Sequence, residues 1–235
     1  KDIWRLNGKE YPSRQHGFAR DSEFICTDIT DTSLTFVLKS SEETLKVYPF
    51  AFALKITYTL KEHDLDVCWE VVNKDSETMY FTIGGHPAFR VPVREGESQS
   101  NYRLAFEEQD ALTYLLIDTS VGTVIADEPH TLPLENGTCA IDPHMFDKDA
   151  LVFDNGQIQK AGILLPDGTP YLTLTSEGFP NFGIWSVPGA PFVCLEPWMG
   201  RCDNCGFEKP LSEKANINVL KPDEEFIKSY QITVH

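Results

Sequence analysis

Alternation of apolar and polar residues at every second position constrains this chain more than any other feature. Leu54, Ile56, Tyr58 and Leu60 occupy alternate positions. After turn residues at Lys61 to His63, so do Leu65, Val67, Trp69 and Val71. A period of two puts these side chains on one face of a strand, so the segment is expected to be a β-hairpin with one buried face. The same pattern marks strands over Leu34 to Leu38, Tyr102 to Phe106 and Tyr171 to Thr175, and near the end, where Phe226, Tyr230, Ile232 and Val234 share a face. No segment sustains the 3.6-residue period of an amphipathic helix beyond two turns. The 15 glycines and 15 prolines interrupt the runs at short intervals, as at Asn136-Gly137, Asn155-Gly156, Pro166-Asp167-Gly168 and Val187-Pro188-Gly189-Ala190-Pro191. Many short strands with frequent turns predict an all-β protein of antiparallel sheets with very little helix.

The 235 residues are 41% hydrophobic, enough for a substantial core, and one domain over residues 1–235 is expected. The polar segment Arg94 to Asn101 is expected to be an exposed loop. The chain opens near Trp4 to Tyr11 as if inside a hairpin, and an N-terminal portion preceding Lys1 is expected to be missing. With 20 lysines and arginines against 36 aspartates and glutamates, the formal charge is −16. No basic block offsets it, which argues against a nucleic-acid surface or an anionic membrane as partner. No apolar run approaches the roughly 20 residues that span a bilayer, and no signal peptide is recognisable, so a soluble cytoplasmic protein is expected. Six cysteines, several in apolar strand-like runs, are expected to be free buried thiols.

Two segments stand out chemically. In Thr82-Ile83-Gly84-Gly85-His86-Pro87-Ala88-Phe89 a histidine lies between two glycines and a proline. The glycines allow a tight turn or close approach to a ligand, and the proline sets the exit direction. A histidine, whose unperturbed pKa is about 6.5, suits proton transfer at neutral pH, though one that merely closes a turn looks the same in sequence. In Phe192-Val193-Cys194-Leu195-Glu196-Pro197-Trp198 a carboxylate interrupts an apolar strand beside a tryptophan. Burial there raises its pKa toward that of a general base; the structural alternative is an ion pair with an arginine such as Arg201.

A weaker third segment, Gln15-His16-Gly17-Phe18-Ala19-Arg20-Asp21, can bring His16 and Arg20 to one pocket for hydroxyls or an anion. Arg20 could equally pair with Asp21 or Glu23 on the surface. His63, His130, His144 and His235 read as solvated positions. Cys202-Asp203-Asn204-Cys205 has half of a zinc or dithiol motif without its second half, so no metal is assigned. Phosphate-cradling loops, dinucleotide fingerprints and a nucleophilic serine elbow are absent.

Taken together, His16-Gly17-Phe18-Ala19-Arg20, Gly84-Gly85-His86-Pro87-Ala88-Phe89 and Cys194-Leu195-Glu196-Pro197-Trp198-Met199-Gly200 resemble, in this order, the aldose 1-epimerase (galactose mutarotase-like) superfamily. They are most similar to its bacterial branch of uncertain substrate, and the resemblance extends from about Gly8 to Val234. It implies a β-supersandwich that binds a monosaccharide or sugar phosphate and interconverts its anomers without metal, nucleotide or other cofactor. It implies His86 as the general acid on the ring oxygen and Glu196 as the general base on the anomeric hydroxyl, facing each other with room for a sugar ring between them. It further implies His16 as a substrate hydrogen-bonding residue and Asp149 as holder of sugar hydroxyls, with Asp147 and Asp154 as alternatives. Trp198, and also Trp185, are candidates to pack on the pyranose, core packing being their other role. A sugar-binding module without catalysis is the competing possibility, because a fold does not fix a function.

Overall fold

The computed structural model describes residues 2–107 and 109–235. It forms two compact units, one comprising the residues up to Thr82 with Gly206–Gln231, the other Ile83–Cys205 with Ile232–His235. Every strand pair with a described register is antiparallel.

In the first unit, the strands Ile25–Ile29, Ser33–Lys39, Phe52–Lys61 and Asp64–Asn73 lie side by side in chain order. The predicted hairpin is present, and its register pairs like with like: Leu60 with Leu65, Tyr58 with Val67, Ile56 with Trp69, Leu54 with Val71. Leu54, Val67, Trp69 and Val71 are buried, while Tyr58 and Leu60 at the turn end are exposed, so the stripe runs out of the core before the hairpin closes. On the other face Lys55 stands opposite Glu70 and pairs with it at 2.5 Å. Asn73, fully buried, closes this unit: its amide donates to the carbonyls of Glu77 and Leu220, and its carbonyl accepts from the Asp75 N–H. One feature escaped the alternation, a six-residue helix at Glu42–Val47. Ser41 and Thr44 cap it reciprocally, a capping box with threonine in place of the usual glutamate.

In the second unit, Thr138–Ala140, Arg103–Phe106, Lys160–Leu164 and Pro170–Thr175 are neighbours in that order. A second sheet runs Thr123–Pro133, Ala111–Asp118, Leu151–Phe153, Asn181–Trp185, Phe192–Met199, and then Ile83–Gly84 and Ala88–Arg90, which both pair with Phe192–Met199. Asn136-Gly137 and Asn155-Gly156 have positive φ at both residues, which a side chain other than asparagine, aspartate or glycine resists. The Arg94–Asn101 loop is largely exposed, but the Gln99 amide turns inward to Ser186 and the carbonyls of Ala190 and Phe192.

The cysteines form no disulfide, yet of the six only Cys194 is buried; Cys26 and Cys205 are exposed, so the expectation of buried thiols fails for most of them. His130 is also not a solvated loop residue: it lies within the Thr123–Pro133 strand, stacked on Tyr114. No helix among the described residues is long and apolar enough to cross a membrane.

Candidate active site

The register of the sheet that contains Phe192–Met199 decides where the two proton-transfer candidates go. Trp198 pairs with Gly84 and Cys194 with Ala88, a constant register across the break at Gly85 to Pro87. The Gly85 N–H donates to the Pro197 carbonyl and the Leu195 N–H to the Pro87 carbonyl, so the ladder continues and His86 falls opposite Glu196. Directly opposed residues of an antiparallel pair project their side chains from one face, with Cβ atoms roughly 5 Å apart. His86 Nδ1 and Glu196 Oε1 accordingly lie 3.4 Å apart. The expected arrangement, acid and base facing each other with a ring-sized gap between them, is therefore corrected. They are cross-strand neighbours.

Glu196 is 4% exposed, whereas the His86 side chain is 39% exposed. Burial pushes the Glu196 carboxyl up to about 8. The indole N–H of Trp198 pulls it down, and the negative charge of Asp149 raises it further. Arg201 is not its partner: the guanidinium grips Asp154 with Nε to Oδ1 and Nη2 to Oδ2, both at 2.7 Å, and Asn181 adds a third bond to Asp154. The structural alternative for Glu196 thus goes to Asp154, which is fully engaged. Asp147 pairs with His144 at the surface. Asp149 is left as the aspartate whose charge reaches Glu196; its φ of +76° holds the chain in the left-handed region, and its carboxylate accepts from the Ala150 N–H. For a residue other than glycine such a conformation is uncommon.

Trp198 owes its position to two glycines. A Cβ on Gly84 would come within 2.5 Å of its Cδ1, and one on Gly183 within 2.3 Å of its Cζ2 and 2.4 Å of its Cη2. The indole therefore lies flat over bare backbone on both sides of its own strand, and packs against Leu115, Val124 and Val152. Gly84 and Gly85 do not adopt positive φ, so of the two uses expected of them, a tight turn or close approach to a ligand, the left-handed turn is not adopted, and Gly84 makes room for the indole. Gly183→Ala is expected to lower stability by about 1–3 kcal/mol, the cost of overpacking against a rigid ring, read as a lower urea midpoint. Trp185, paired with Cys194, stands edge-on to His86 at 5.8 Å and touches Phe192.

His16 and Arg20 belong to the first unit. His16, at φ +64°, is exposed in a turn, and Arg20 in the following 3-10 turn pairs with Asp21, the surface alternative. An ion pair this exposed contributes little to stability and leaves the arginine available.

Among known proteins, the sequence profile of the aldose 1-epimerase family matches residues 3–227. The chain belongs to that family. This aldose 1-epimerase family member is 31% identical over 224 residues to the protein LacX (plasmid) of Lactococcus lactis subsp. lactis, a match covering 94% of this chain and 75% of LacX. A galactose mutarotase related enzyme from Lactobacillus acidophilus superposes with a TM-score of 0.91 at 31% identity, over 100% of this chain and 78% of that one. A galactose mutarotase-like protein from Lactobacillus casei gives 0.89 at 31% identity, over 100% and 80%. The fold of this family member is galactose mutarotase-like, and its membership supports a carbohydrate epimerase role.

Proposed function

We propose that the chain is an aldose 1-epimerase that interconverts the α and β anomers of a hexose or hexose phosphate. The observation that carries this reading is the cross-strand pair itself, an exposed imidazole 3.4 Å from a buried carboxyl whose pKa is raised to about 8. The anomeric hydroxyl and the ring oxygen are both bonded to C1, so one acid and one base side by side can reach both from the same side of the sugar. Glu196 removes the proton from the anomeric hydroxyl as the bond from C1 to the ring oxygen breaks, and His86 protonates that oxygen. Rotation about C1–C2 turns the free aldehyde. On closure the former ring oxygen returns its proton to His86, and the aldehyde oxygen takes one from Glu196, which restores both groups. Asp149 is assigned to substrate hydroxyls, and Trp198 to orienting the base while bordering the sugar, with Trp185 beside the acid; His16 and Arg20, in the first unit, are assigned a substrate-binding role on the strength of the family motif alone.

The test is the rate at which the optical rotation of fresh α-D-glucose, α-D-galactose and their 6-phosphates approaches equilibrium. Acceleration supports the proposal and ranks the substrates; none with folded protein would favour a sugar-binding module. The pH dependence has a defined sign. Glu196 must be ionised to act as the base, so on the acid limb kcat/KM is expected to rise with pH as this carboxyl, which titrates near 8, loses its proton, and to fall again where His86 loses the proton it donates. Asp149→Asn removes the charge that raises this pKa and moves the limb to lower pH. Trp198→Phe removes the N–H donor and moves it to higher pH.

A further inference from the structure

On the same face of the Phe192–Met199 strand, one step of the alternation before Glu196, lies Cys194, buried and opposite Ala88. One donor atom each from His86, Cys194 and Glu196 lies within 4.8 Å of the other two. We propose that these three side chains bind one thiophilic divalent cation of the zinc class, and that the bound ion shuts off the acid–base pair. The proposal rests on the epimerase reading only for its effect on activity; the binding itself does not depend on it.

The donor set selects the ion. Imidazole nitrogen and thiolate sulfur favour zinc-class metals over magnesium or calcium, which prefer oxygen throughout. In a tetrahedral zinc site, bonds of 2.0–2.1 Å to nitrogen and oxygen put the two ligand atoms about 3.4 Å apart. His86 Nδ1 and Glu196 Oε1 already have that separation, so only Cys194 Sγ needs to approach by a rotamer adjustment. The fourth position opens toward solvent on the side where His86 is exposed. The ion displaces the thiol proton of Cys194 to the buffer, and any proton on Glu196 with it. It also occupies the lone pairs that proton transfer needs, so its effect is inhibition rather than assistance.

The test titrates the full chain with Co²⁺ under a non-chelating reductant and follows the thiolate-to-cobalt charge-transfer band in the near ultraviolet. A single saturable equivalent is expected, displaced by Zn²⁺, with the band lost in Cys194→Ser and kept in Cys202→Ser and Cys205→Ser. His86→Ala, at an exposed position that tolerates truncation, is expected to weaken binding at least about tenfold, which covers the case in which Cys194→Ser fails to fold. Zn²⁺ at the concentration that displaces Co²⁺ stops mutarotation, and a chelator restores it. No charge-transfer band, or one that survives Cys194→Ser and disappears in Cys202→Ser or Cys205→Ser, overturns the site. If the wild type never accelerates mutarotation, the epimerase reading fails, while the cobalt band still decides whether the ion binds.

Discussion

Glu196→Gln is expected to lower kcat/KM for mutarotation by about 10²–10⁴-fold, the range that a positioned general base contributes, with the sheet intact. Glutamine keeps the shape of the side chain and can still hydrogen-bond within the site, but it cannot take the anomeric proton. The same substitution is expected to act on stability in the opposite direction. The folded carboxyl titrates near 8 against an ordinary value of 4.5, so between these pH values the folded chain holds a proton that the unfolded chain has released. Wild-type stability therefore falls as pH rises from about 4.5 through about 8, where an ionised carboxylate must remain buried. The glutamine variant lacks this dependence and should be the more stable protein above pH 8. Urea unfolding of both proteins at pH 5 and pH 9, beside polarimetric rates, checks the two effects; a variant with full activity removes Glu196 from the mechanism.

Arg201→Met is expected to cost about 3–5 kcal/mol at neutral pH, the largest stability loss expected of a single change in the second unit. The Arg201 side chain is 6% exposed and its two bonds to Asp154 are both 2.7 Å. Methionine fills much of the volume but leaves the Asp154 carboxylate with only the Asn181 amide, and a poorly compensated carboxylate in a half-buried position is what costs the energy. Asn181 pairs with Trp198 across the strands, so the clamp also supports the shelf on which the indole rests. The double variant Arg201→Met with Asp154→Leu removes both charges and is expected to recover part of the loss. Chemical denaturation of Arg201→Met, of Asp154→Leu and of the double variant measures the coupling. If Arg201→Met alone were as stable as wild type, the Asp154 pair would be a surface-like contact without structural weight.

The residues differ in how much of their role can be read in advance. Alternation from Leu54 to Val71 located two strands and their turn, because a side chain's face depends only on its parity. Asn136-Gly137 and Asn155-Gly156 announced turns because few other residues tolerate positive φ in succession. His86 and Glu196 were identifiable from their neighbours and from the family motif. Their separation was not, since it follows from a pairing of segments more than a hundred residues apart, and the ring-sized gap expected between them gave way to contact. Nor did the strand glycines declare their purpose. Gly84 and Gly183 are bare because Trp198 covers them, which no local pattern expresses. The capped helix at Glu42–Val47 was too short for periodicity to detect, and His130 was misplaced because an adjacent proline suggested a loop where an edge strand continues.

The sequence by itself therefore determined the class of the protein, the faces of its strands, the places where the chain turns and the two groups suited to moving protons. These are properties of short stretches: backbone geometry, side-chain parity and intrinsic acidity act over a few residues. Only the tertiary structure decided that His86 stands opposite Glu196, that Asp154 rather than Glu196 takes Arg201, and that Trp198 reaches the carboxyl with its N–H. It also set the acidity of Glu196, because desolvation comes from atoms that other strands bring to it, and the −16 net charge says nothing about the field at one buried oxygen.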